Sequence, residues 1–122
     1  MASAPFVNDA ERNVARQLDK LRVEWIYEPT TFILETREDG NCAVGFTPDF
    51  YLPKLDLYLE VTEARQANTT RKSRKARLAR EIHGITVLVF YRRDVEAFVE
   101  ARARRAKQIL LCAADAARAS SF

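Results

Sequence analysis

Apolar and polar positions along this chain repeat with two different periods, and the places where the period changes mark the elements. Behind Asn8, whose side chain suits a helix cap, Val14, Leu18 and Leu21 recur at helical spacing and predict a helix running to about Arg22. Glu11 falls on that same stripe, one turn before Val14, and so is directed inward. Trp25 to Tyr27 and Thr31 to Glu35 read as strands interrupted at Pro29, and Asp39-Gly40-Asn41 is a hairpin turn returning through Ala43 to Phe46. Two further β-rich runs, Phe50 to Leu52 and Leu57 to Glu60, flank the turn formers of Pro53-Lys54-Leu55-Asp56 and predict a hairpin with a four-residue loop.

Asn68 to Ile82 reads as a helix with Asn68 or Thr69 as its cap, Ala76, Leu78, Ala79 and Ile82 as its apolar side, and Gly84 as its end. Ile85 to Tyr91 is almost continuously apolar, as in a strand buried on both faces, and its place after a helix predicts a parallel crossover beside the hairpin strand. Arg92-Arg93-Asp94 then opens a long C-terminal helix. Its inward positions are Val95, Phe98, Val99, Ala106, Ile109, Leu110 and Ala113, while Arg102, Arg104, Arg105 and Lys107 face out. The tail from Ala113 to Phe122 is expected to fray or to dock on a partner.

The four-residue loop fixes a register. If Leu52 pairs with Leu57, Asp49 faces Glu60, and directly opposed residues share a face with Cβ atoms about 5 Å apart. Two carboxylates that close need a shared proton, a basic partner or a divalent cation with oxygen ligands. A register shifted by one residue would instead send them to opposite faces as ordinary surface acids.

Length and composition narrow the setting. The chain has 122 residues, 48% hydrophobic and 30% charged, which fits one globular domain over 1–122. No run approaches the ~20 apolar residues of a membrane span, and Met1 to Phe6 lacks a basic region followed by a long apolar core, so a cytoplasmic protein is expected. Cys42 and Cys112 have neither CxxC spacing nor a second histidine near which to build a zinc site, and His83 sits at a helix end. Net charge is only +3 but unevenly placed: residues 71–80 hold six basic side chains and no acid, whereas Asp49, Asp56, Glu60 and Glu63 stand against Lys54 in residues 49–63. A basic surface beside an acidic pocket suits a polyanion whose phosphate is brought to a cation.

Pro48-Asp49, ten residues, then Glu60-Val61-Thr62, preceded by a helix bearing a Glu and followed by a basic helix and an apolar strand, resembles the core of the PD-(D/E)XK nuclease superfamily. The resemblance covers most of the chain and departs from the family at Thr62, where the family has Lys. It implies a restriction-endonuclease-like αβββαβ core, a mixed sheet flanked by helices, extended here by the long C-terminal helix. It further implies that Asp49, Glu60 and the Val61 carbonyl hold Mg²⁺ (or Mn²⁺) for hydrolysis of a phosphodiester, in DNA more readily than in RNA. Glu11 would be the extra acid that many members carry on the first helix, although Asn8 and Glu11 also have capping-box spacing, and both roles can hold. Members with the lysine moved onto the following helix exist, which points to Lys72, or to Lys75. Arg71, Lys72, Arg74, Lys75 and Arg77 would contact phosphates, the plain alternative being a solvated basic face.

Two other classes compete with the endonuclease. One is a nuclease-like fold without catalysis that binds nucleic acid or assists assembly. The other is a small structural partner that dimerises through its C-terminal helix. A homodimer or a larger nuclease complex is compatible with the first two. Trp25, Tyr27 and Phe32 are read as core aromatics, with base stacking as their alternative role, and Glu24, Glu28 and Glu35 as solvated strand residues.

Overall fold

The computed structural model of the protein describes residues 6–65 and 71–119; Asn68 and Thr69, the expected caps of the basic helix, lie outside them. The elements are α1 (Asp9–Lys20), β1 (Ile26–Tyr27), β2 (Phe32–Thr36), β3 (Cys42–Phe46), β4 (Phe50–Leu52), β5 (Leu57–Val61), α2 (Arg71–His83), β6 (Val87–Phe90), α3 (Arg92–Glu100) and α4 (Ala103–Ala119). Four strands form a mixed sheet in the order β1-β4-β5-β6, with β1/β4 and β4/β5 antiparallel and β5/β6 parallel. The described residues are thus an α/β fold with four helices, one of them C-terminal.

The hairpin register is the one its loop length predicts: Leu52 pairs with Leu57, Tyr51 with Tyr58 and Phe50 with Leu59. Asp56 takes up a left-handed backbone at the end of the loop (φ 47°), which Asp tolerates better than most residues. The parallel crossover is also present, since α2 leads into β6 and β6 lies beside β5 with Glu60 opposite Val89. Although β6 is an edge strand, Val87, Leu88 and Phe90 are buried, because apolar side chains from α2 cover one face and those from α3 and α4 the other.

Two expectations about strands need correction. Of the five strands before α2, β1, β4 and β5 share the main sheet, whereas β2 and β3 pair only with each other, in a separate two-stranded sheet that packs on α2. The chain leaves β1 through Glu28 in the left-handed region (φ 44°) and Pro29, and this redirects the backbone before β2 begins. Of the expected aromatics, Trp25 is buried but lies just outside β1, while Tyr27 and Phe32 are half-buried. Phe32 packs edge-on against Tyr58 in a small cluster with Phe46, Ala76, Ala79 and Val87. On α2, Ile82 was expected inward and is 52% exposed, because the helix turns it past the edge of that cluster.

The long C-terminal helix is in fact two. The chain breaks at Ala101, whose backbone is extended (φ −72°, ψ 149°), with neither Gly nor Pro to announce it. The cause lies on α1: the buried Gln17 amide donates to the carbonyls of Phe98 and Ala101, both at 2.8 Å, and takes up acceptors that the end of α3 leaves without helical partners. Gln17→Leu should therefore lower stability by about 2 kcal/mol, the usual cost of stranding buried acceptors, and thermal unfolding would register it. A variant as stable as wild type would mean that water replaces the amide. Beyond the break, α4 packs Ala106, Leu110 and Ala114 inward. The tail, expected to fray or seek a partner, is helical to Ala119, and Arg118 Nη2 donates to the Leu55 carbonyl in the β4–β5 loop at 2.6 Å.

Candidate active site

Asp49 immediately precedes β4 and Glu60 is the penultimate residue of β5, so the hairpin register brings them together across the ladder. The contact is reciprocal. The Val61 N–H donates to Asp49 Oδ2 at 2.7 Å, and the Asp49 N–H donates to Glu60 Oε1 at 3.1 Å. Both side chains are buried, 7% and 4% exposed. Burial, followed by the charge of Asp49, pushes the Glu60 carboxyl up to about 8. Asp49 rises to about 6, again chiefly through burial, with the nearby Glu11 adding to it and the Val61 N–H and Lys72 opposing.

These acids hold protons in the folded protein at pH values where the unfolded chain has already released them. The stability they contribute is complete below about pH 4 and is lost as pH rises through about 6 and then 8. Several kcal/mol should disappear between pH 5 and pH 8.5, since each pKa unit is worth about 1.4 kcal/mol, and the melting temperature should fall by more than about 10 °C. Glu60→Gln should flatten most of this slope. A wild-type melting temperature that does not fall over the range would show that the pair is not buried as described.

Lys72 closes the corner from above. One residue into α2, its ammonium donates to the Val61 carbonyl at 2.9 Å and lies 3.7 Å from Glu60 Oε2. The positive charge in this corner thus comes from the following helix and not from position 62. Thr62 itself is buried and its hydroxyl accepts from the Ala64 N–H at 3.2 Å. Lys75, the other position weighed for this role, reaches elsewhere, donating to the Gly45 carbonyl on β3 at 2.9 Å. Arg71, Arg74 and Arg77 are exposed on the outer side of α2.

Glu11 is buried at the near end of α1, held from the other side by a short hydrogen bond from the Tyr27 hydroxyl. Asn8 caps α1 as expected, its Oδ1 accepting from the Glu11 N–H at 2.9 Å, but the Glu11 side chain is spent on Tyr27 and the interior. Sequence reasoning took Tyr27 for a core aromatic and missed this second role. The sequence carried no signal for it, since the pairing of Tyr27 with Phe50 that places it beside Asp49 is set by the tertiary fold. Burial, then the hydrogen bond to Glu11, raises the Tyr27 phenol well above its ordinary range, so it remains a donor to that carboxylate.

The donor set suits a hard cation: two carboxylates and a backbone carbonyl, all oxygen, in a pocket that raises the cost of their charge. Among the described residues no group of three or more His, Cys, Asp or Glu side chains is gathered as for a metal ion. A cation held in this corner would rest on Asp49, Glu60 and the Val61 carbonyl, with Glu11 behind them. Cys42 and Cys112 are exposed free thiols away from the corner, and His83 bonds the Ile33 carbonyl through Nε2 at 2.8 Å. No helix among the described residues is long and apolar enough to cross a membrane. No protein-family model, no curated protein and no solved structure matches the chain.

Proposed function

We propose that the protein is a metal-dependent phosphodiester hydrolase of the PD-(D/E)XK type acting on nucleic acid, DNA more readily than RNA. The observation that carries this reading is the ammonium of Lys72 on the Val61 carbonyl and beside Glu60, because it restores the missing charge of the motif from the next helix. Asp49, Glu60 and the Val61 carbonyl would hold Mg²⁺ or Mn²⁺, which supplies Lewis acidity toward a phosphate oxygen and a more acidic bound water. Glu11 keeps further negative charge behind Asp49, and Tyr27 fixes its direction. Lys72 offsets charge that grows on phosphorus-bound oxygens and orients the attacking water by its remaining N–H donors. The exposed Arg71, Arg74 and Arg77 hold the strand by its phosphates.

A second reading keeps the binding and drops the chemistry: a nucleic-acid-binding or assembly module on a nuclease-like fold. Two observations favour it, the Thr at position 62 and the fact that among the described residues only two acidic side chains with a carbonyl are in line for a metal. One experiment separates the two. Purified protein is incubated with plasmid, linear duplex and single-stranded DNA and with RNA in Mg²⁺ or Mn²⁺, and binding is followed in parallel against salt. Cleavage that vanishes with chelator supports the enzyme; binding without cleavage of any substrate supports the module. In either case affinity should fall steeply with salt, and reversing Arg71, Arg74 and Arg77 to Glu should reduce the slope of log K against log salt by about 3. An unchanged slope would make the outer face of α2 a solvated surface.

A further inference from the structure

A second cationic feature lies away from α2. Where β5 and β6 leave the sheet in parallel, Arg65 follows the first strand, and Arg92 and Arg93 open α3 after the second. The Arg92 N–H donates to the Ala64 carbonyl at 3.0 Å, tying the two connections together. They enclose a cleft of about 340 Å³ lined by Arg65, Arg92, Arg93 and Glu96. A neighbouring cleft of about 370 Å³ shares Arg92 and Glu96 with it and reaches Thr62, two residues beyond Glu60.

We propose that this arginine-lined cleft binds a phosphoryl group. Among the described residues three guanidinium groups gather there against one carboxylate, and Glu96 is already paired with Arg92 Nε at 3.6 Å. Like charges brought together by the backbone leave a demand for an anion, and the planar fork of arginine matches phosphate oxygens. At the start of α3 the Arg92 N–H is spent on the Ala64 carbonyl and Asp94 is engaged with the Tyr91 N–H at 2.9 Å, so the guanidinium groups are what the cleft offers an anion. The carboxyl ends of adjacent parallel strands are where open α/β sheets present their ligand crevices. Assigning the phosphoryl group to a polynucleotide strand, one of whose other phosphates sits at Asp49 and Glu60, rests on the nuclease reading. The preference of the cleft for phosphate does not.

The test uses the full chain and the double variant Arg65→Glu/Arg93→Glu, both positions being exposed and outside the acidic corner. The probes are sodium pyrophosphate and a fluorescent oligonucleotide, read by NMR at the arginine Nε–H signals and by anisotropy. Both probes should shift the Arg92 signal in wild type and not in the variant. Oligonucleotide affinity should drop about ten-fold near 100 mM salt, with the salt slope smaller by about 2. A shift with pyrophosphate but not with the oligonucleotide keeps the phosphoryl site, assigns it to a small phosphate compound and counts against the nuclease reading. If neither probe moves Arg92, the cleft proposal is overturned even where wild type cleaves DNA.

Discussion

If the protein is the proposed hydrolase, Lys72→Ala is expected to lower metal-dependent cleavage by about 10²- to 10³-fold, the usual loss when one donor aimed at developing charge is removed from a site. Its ammonium touches the Val61 carbonyl and stands beside Glu60 without itself being buried, so the variant should fold normally. Metal affinity should hold or rise, since the ammonium shares two of the groups that would take the cation. Asp49→Ala should remove cleavage and metal binding together. Thr62→Lys is the informative companion, because that hydroxyl faces the Ala64 backbone. In an enzyme already served by Lys72 a second ammonium there adds little, whereas in a module that has lost its lysine it could restore activity. Wild-type cleavage that survives Lys72→Ala within two-fold would remove the role assigned to this residue.

Phe50→Ala should cost about 3–5 kcal/mol, a large share of the total for a domain of this size. Phe50 is fully buried and meets Trp25 and Tyr27 edge-on with ring centroids 5.5 and 5.6 Å apart, and Phe6 at 6.1 Å. It also joins β1 to β5, pairing with Tyr27 on one side and Leu59 on the other. Truncation opens a cavity that three aromatic rings cannot readily fill. Because Asp49 precedes it directly, the loss should appear in the acidic corner as well, as weaker metal binding below the melting transition. Denaturant unfolding gives the number, and a loss below about 1 kcal/mol would mean that the neighbouring rings collapse into the space.

What could be read from the sequence, and what could not, follows the range of the interactions involved. The Asp49–Glu60 pairing was legible because a four-residue loop fixes the register by counting, and side chains along a regular strand alternate between its faces. The inward turn of Glu11 followed from helical spacing, whereas the resemblance left Lys72 and Lys75 both open and only the structure puts the Lys72 ammonium in the corner. The break at Ala101 was not legible, since its cause is a glutamine more than eighty residues earlier, Gln17. Nor was the separation of β2 and β3 from the main sheet, because two strands with alternating residues state their faces but not their neighbours. Tyr27 hid its second role for a similar reason: an aromatic beside a helix packs whether or not its hydroxyl serves an acid.

The four-residue loop that brings the two acids together also sets an order of events in folding. Closing so short a loop is a local step on the microsecond scale, whereas the parallel pairing of β5 with β6 waits for the intervening segment to cross over. The carboxylates are therefore expected to meet before the ammonium that eases their repulsion is delivered by α2, an order that amide-exchange labelling during refolding would check. The hairpin at the centre of the site is the part of the chain whose own side chains resist its closure at neutral pH, and its persistence depends on elements that arrive after it.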